Sequence, residues 1–178
     1  MSNFIPQNRE ELGKLFELHK KTGLGAEIGV QTGYFSDKIA KFYTGKLLCV
    51  DLWGDEVVYF EAQKLLADKS KFDLMRGDSL TMARFVADES LDFVYIDANH
   101  HYKECLEDIE AWYPKVRSGG IISGHDFCFS DPDLHVIPAV HAFCSMYNYD
   151  TEKDLNIVCG ESDYFNGKPY PSWWIVKR

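Results

Sequence analysis

The stretch Gly25-Ala26-Glu27-Ile28-Gly29-Val30-Gln31-Thr32-Gly33, continued by Tyr34-Phe35-Ser36, decides the fold. Apolar residues run into two glycines four apart, and a helical pattern (Ile39, Ala40, Phe42, Tyr43) starts at once. This is a buried parallel strand turning sharply into a helix. Gly29 and Gly33 put no side chain between backbone and ligand, and the helix start offers unpaired N–H groups to an anion. Ser36 stands where a third glycine would complete the dinucleotide fingerprint G-x-G-x-x-G, so that fingerprint is not met. Glu27, two residues before the first glycine, suits a cationic or amino-bearing ligand better than a pyrophosphate. The plainer alternative is an ordinary strand-to-helix turn capped by Ser36.

Outward from this turn, strand and helix alternate. A helical pattern over residues 9–21 ends at Gly23 and Gly25, strand one runs to about Val30, and a helix follows from Gly33 to about Tyr43. Leu47-Leu48-Cys49-Val50 is an apolar run ending at Asp51, as expected of a strand buried on both faces. Helical patterns cover 55–69, 79–87, 102–116 and part of 135–148. Strands are predicted at 72–76, 91–96 and 121–124, and a closing pair at 154–159 and 172–177 flanks a Gly/Pro-rich loop. Strict alternation implies an α/β, Rossmann-like, mostly parallel sheet with helices on both faces. The 178 residues suit one domain, an N-terminal helical segment (1–22) leading into a sheet-and-helix core (24–178).

Composition narrows the function. A net charge of −9 and the lack of a basic stripe argue against nucleic acid. No apolar run is long enough to span a bilayer and no signal peptide is evident, so neither a membrane nor secretion is expected. The five cysteines, odd in number and without C-x-x-C spacing, read as reduced thiols. These features together predict a cytoplasmic protein.

In an open parallel sheet the ligand lies beyond the carboxyl ends of the strands. The residues there are Glu27 with Gly29 to Gly33, Asp51-Leu52-Trp53, Asp78-Ser79, Asp97 with His100 and His101, and His125-Asp126. A carboxylate left uncompensated at such an edge is costly, which makes the repeated aspartates informative. Asp51 can take both ribose hydroxyls of an adenosine, with Leu52 and Trp53 over the base and Asp78 and Ser79 at its amino edge. The alternative for Asp51 and Asp78 is capping of the helices that follow.

The series Glu27-Ile28-Gly29-Val30-x-x-Gly33, Val50-Asp51-Leu52-Trp53, Gly77-Asp78-Ser79 and Ile96-Asp97-Ala98-Asn99-His100 resembles the class I S-adenosylmethionine-dependent methyltransferases. Asp108 through Trp112, Pro114, Gly119-Gly120-Ile121-Ile122 and His125-Asp126 resemble one branch of them, the macrolide and sugar O-methyltransferases with the cephalosporin-hydroxylase-like proteins. The resemblance covers about residues 24 to 145. It implies a seven-stranded sheet whose last strand is antiparallel. S-adenosyl-L-methionine would lie against Glu27, Gly29, Gln31, Gly33, Ser36, Asp51, Leu52, Asp78, Ser79 and Asp97.

The resemblance further implies a divalent cation on Asp97 and Asp126. His125 stands where relatives often carry glutamate, a departure that moves the choice among Mg²⁺, Mn²⁺ and softer ions toward those that accept imidazole. Direct ligation by His125 and an orienting role both stay open. His100, in Asp-x-x-His, is implied to be the general base. A neutral imidazole can take a hydroxyl proton, and a cation on the hydroxyl oxygen lowers that proton's pKa.

The reading is a metal-assisted O-methyltransferase acting on a small hydroxylated acceptor, a sugar or glycosylated metabolite. A catalytically silent nucleoside-binding protein and a nicotinamide-dependent oxidoreductase are the alternatives. A hydroxylase is disfavoured because Asp97, His125 and Asp126 supply only one imidazole. Acceptor choice is placed on residues 1–22, 127–135 and 160–171, with any lid drawn from these loops or from a neighbouring subunit in a homo-oligomer.

Overall fold

The apolar runs become strands of one sheet in the computed structural model, which describes residues 4–129 and 133–178. The strands are β1 (Leu24–Ile28), β2 (Lys46–Asp51), β3 (Phe72–Arg76), β4 (Leu91–Ile96), β5 (Val116–Gly124), β6 (Asn156–Val158) and β9 (Ser172–Val176), while β7 (Tyr164–Phe165) and β8 (Lys168–Pro169) form a separate small hairpin. The helices are α1 (Leu12–Leu18), α2 (Tyr34–Ala40), α3 (Glu56–Leu65), α4 (Ser79–Ala83), α5 (Tyr102–Trp112) and α6 (Val136–Met146). The sheet has seven strands in the order β3-β2-β1-β4-β5-β9-β6. Strands β1 to β5 are parallel, and β9 runs antiparallel between β5 and β6.

The period-2 pattern explains why both faces are covered. In β4, Val94 and Ile96 pack with α5 and α6 residues such as Ile109, Trp112 and Phe143. Phe93 and Tyr95 face the other layer, with Leu12, Phe16, Phe35 and Ile39. Phe16 stacks on Phe93 at 3.8 Å between ring centroids, fastening α1 to the sheet. Beneath that contact, Asp92 is fully buried and accepts the N–H groups of Lys21, Thr22 and Gly23, the Tyr43 hydroxyl and Arg117 Nε. This network fixes the link from α1 into β1.

Several elements are shorter than their patterns suggest. The helix expected over 9–21 opens as a 3-10 turn, Arg9–Glu11, where Asn8 accepts the Glu11 N–H, and it ends at Leu18. The one expected over 102–116 stops at Trp112. Pro114 has no N–H to continue it, so the chain makes a 3-10 turn over Tyr113–Lys115 and enters β5 early. Strand one stops at Ile28 because Gly29 takes φ +88°. Residues 130–132, inside the loop assigned to acceptor choice, and residues 1–3 of the N-terminal segment lie outside the described residues. Among those described, no helix is long and apolar enough to cross a membrane.

Candidate active site

Strand order reverses between β1 and β4, and a cavity of about 850 Å³ opens at the carboxyl ends of the strands there. That is the expected ligand position in an open α/β sheet, and the volume suits a nucleoside-sized ligand. Glu27, Gly29, Gln31, Asp51, Leu52, Asp78, Ser79, Asp97 and His100 all line it. Gly33, Ser36, His125 and Asp126 are not among its lining residues.

The corner at β2 is built to hold a carboxylate. Asp51 accepts the Gln31 N–H on Oδ2 at 2.8 Å and the Trp53 N–H on Oδ1 at 2.7 Å. Each oxygen keeps further acceptor capacity. Gln31 and Trp53 both have positive φ, 53° and 41°, a conformation that side chains resist. Their bonds to Asp51, and that of Trp53 Nε1 to the Gln31 carbonyl at 2.7 Å, hold them there. Trp53 is therefore a buried brace between the two loops, packed on Tyr59, while exposed Leu52 alone faces the cavity.

The glycines work by close packing as well as by freedom of φ. A Cβ on Gly29 would lie 2.1 Å from the Asp97 carbonyl oxygen, so the turn can lie against the β4 exit only without one. Gly33, at φ +87°, caps α2 and lies against Leu66, where a Cβ would come within 2.7 Å of Cδ1. Ser36 donates its hydroxyl to Glu27 from the buried side. Burial pushes the Glu27 carboxyl up to about 8, against the pull of Ser36 and Arg9. Ser36 thus orients an acid on the cavity wall.

At β4 and β5 the carboxylates converge. Asp97, His100 and Asp126 each offer one ligand atom within 4.8 Å of the others. His100 Nε2 lies 2.7 Å from Asp126 Oδ2 and 3.5 Å from Asp97 Oδ1. Bonds to Asp126 and then Asp97 raise His100 to about 10, so imidazolium is its favoured form between them. Burial works against charge on both acids, yet the imidazoles, and Arg9 beside Asp97, hold them below the usual carboxylate range. His125 lies alongside, with Nδ1 3.0 Å from Asp126 Oδ1 and Nε2 accepting from Arg9 Nη1 at 3.4 Å. Asp126 has φ +56°, a strained backbone at the point where its carboxylate enters this group.

Arg9 is the residue that the sequence pattern does not announce. Its guanidinium pairs with Asp97 and lies over the Phe35 ring, 4.0 Å from the centroid. The Asn8 cap places it at the first helical position, but only the tertiary fold brings that position to the β4 exit. Across the cavity, Asp78 both lines the wall and caps α4, accepting the Thr81 N–H at 2.9 Å. Ser79 Oγ takes the Trp112 Nε1–H at 2.9 Å and bonds to Asp108, whose buried carboxyl is pushed up to about 6. Both predicted roles of Asp78, cap and wall, therefore coexist.

Strand order, glycine turn and cavity together define the class I fold of S-adenosylmethionine-dependent methyltransferases. A family model described as a methyltransferase domain matches residues 24–127, and the chain belongs to that family. Comparison with curated proteins gives no match. Among solved structures, the O-methyltransferase TomG from Streptomyces achromogenes, in complex with SAM, is 18% identical with TM-score 0.68, over 96% of this chain and 79% of that one. The O-methyltransferase from Bacillus cereus, in complex with SAH, is 18% identical with TM-score 0.66, over 98% and 83%. A putative rRNA methylase from Clostridium thermocellum is 13% identical with TM-score 0.70, over 98% and 100%.

Proposed function

We propose that this methyltransferase acts on a hydroxyl oxygen of a small acceptor, a sugar or glycosylated metabolite, with a divalent cation assisting. The observation that carries the cofactor reading is the Asp51 corner, a carboxylate pinned by two loop amides on the wall of a cavity at the strand-order switch. Asp51 would receive the ribose hydroxyls, Leu52 would lie against the base beside Asp78 and Ser79, and Glu27 and Asp97 would face the amino end. The turn at Gly29 and Gln31 would follow the ligand's backbone, with Gly33 and Ser36 shaping that turn from behind. Bound there, S-adenosylmethionine supplies an electrophilic methyl group.

The acceptor side rests on Asp97, Asp126 and the two imidazoles. Two carboxylates with an imidazole make a donor set suited to Mn²⁺ and its first-row neighbours, and to Mg²⁺ with more water. His100 is assigned the acceptor hydroxyl proton: between the two free carboxylates it favours imidazolium, and a cation on Asp97 and Asp126 would lower its pKa and free the ring to take that proton. A second reading makes His100 itself the third ligand, favoured by its 2.7 Å approach to Asp126 and by the shared spacing of the three groups. His125 then orients Asp126. The acidic balance, −9 overall, favours a small acceptor over RNA, although the similar Clostridium thermocellum protein is a putative rRNA methylase.

The test is S-adenosylhomocysteine release with panels of hydroxylated small molecules and with RNA. His100→Ala should lower turnover about 10²–10⁴-fold while S-adenosylhomocysteine still binds. Retained Mn²⁺ binding in that variant supports the base, and lost binding supports the ligand. Undiminished turnover, or turnover on RNA alone, contradicts the assignment.

A further inference from the structure

Among the described residues that line the cavity, Arg9 is the only lysine or arginine, set among the acids Glu27, Asp51, Asp78, Asp97 and Glu104. We propose that Arg9 is a built-in counter-cation that competes with a divalent ion for Asp97, so that the N-terminal segment sets the metal affinity of the site. The proposal rests on the metal-assisted reading above.

Three observations support it. The guanidinium holds Asp97 directly: Nη2 donates to Oδ2, while Oδ1 faces His100 and His125 at 3.5 and 3.7 Å. A carboxylate used this way has one oxygen left for an ion, and the guanidinium charge opposes the ion's own through a partly buried medium where screening is weak.

The pose is also fixed from behind. The Arg9 N–H donates to the buried Asp163 carboxylate at 3.2 Å, which also takes the Gly160 N–H at 2.7 Å. The segment is seated so closely that a Cβ on Gly160 would fall 2.5 Å from Asn8 Cβ. The side chain lies over Phe35 and, at 5.2 Å, over Tyr95. Finally, Arg9 Nε is buried with no hydrogen-bond partner among the described residues. A guanidinium placed only for structure would satisfy its N–H groups, since leaving a buried donor unpaired is costly. Here the acid at the β4 exit determines the placement.

The experiment is Mn²⁺ titration by calorimetry on wild type, Arg9→Met, Arg9→Gln and Arg9→Lys, with circular dichroism to establish that each is folded. Met keeps an apolar stem over Phe35, Gln gives a second neutral side chain, and Lys keeps the charge. The neutral variants should bind Mn²⁺ about 10–100-fold more tightly, because a like charge beside the ion is removed where screening is weak, and Lys should stay near wild type. Unchanged or weaker binding in the folded neutral variants overturns the proposal, as does equal tightening in Lys. If wild type binds Mn²⁺ and the neutral variants match it, only the counter-cation role fails. If no variant binds Mn²⁺, the metal-assisted reading fails and this proposal with it.

Discussion

Glu27→Gln is the substitution whose effect follows most directly from the geometry. Glu27 is 1% exposed, takes the Ser36 hydroxyl, and is pushed by burial from 4.5 up to about 8. Between those two values the folded protein keeps the proton and the unfolded chain has released it. Rising pH therefore removes stability across that window, the reverse of an ordinary salt-bridged carboxylate. The full window is worth on the order of 5 kcal/mol at about 1.36 kcal/mol per pH unit. Between pH 5.5 and 7.5 the loss is about 2.5 kcal/mol by the same linkage. The assay is urea unfolding of wild type and Glu27→Gln at both pH values, comparing how much each loses. Glutamine cannot titrate, so the wild type should lose about 2.5 kcal/mol more than the variant. Parallel losses would refute the protonated, buried Glu27.

Asp92 carries the opposite sign. Burial alone would raise it, but the Thr22, Lys21 and Gly23 amides and Arg117 bring it down to about 2, so its contribution is present above pH 4 or so and lost as pH falls toward 2. Asp92→Ala should cost about 3–5 kcal/mol in urea unfolding, leaving Arg117 without its counter-charge and three amides and the Tyr43 hydroxyl without their acceptor; a loss under about 1 kcal/mol would mean that water replaces the carboxylate. Gly29→Ala must push its Cβ away from the Asp97 carbonyl and hold a left-handed φ, so it should cost at least about 1–3 kcal/mol and weaken S-adenosylhomocysteine binding in calorimetry. Wild-type affinity there would show that the turn tolerates a side chain. Asp126→Ala should abolish stimulation of turnover by Mn²⁺, and full retained stimulation would remove Asp126 from the ligand set.

The sheet was legible because its strands are short apolar runs buried on both faces. Leu91 to Ile96 reads as a strand once the helical patterns over 79–87 and 102–116 flank it. Strand-end aspartates were legible too, since the fold class fixes where those ends meet. What local pattern could not give was the division of labour among them. Ser36 reads as a cap or a ligand contact, but it lies behind Glu27, and Trp53 reads as a lid over the base but braces two strained loops. His125 and His100 are 25 positions apart in an otherwise similar acidic setting, and only the packed loops show that His100 shares Nε2 between both carboxylates. Arg9 was least legible of all. Its neighbours Glu10 and Glu11 make it look like a solvated helix start, and its role depends on a contact across 88 positions of chain.

The central claim is that carboxylates at the strand ends hold an adenosyl ligand at the switch between β1 and β4. Calorimetry with S-adenosylhomocysteine on wild type and Asp51→Ala tests it most directly. One-to-one saturable binding in the wild type, lost in the folded variant, is the predicted result; equal affinity in both proteins, or no binding by the wild type, would contradict it.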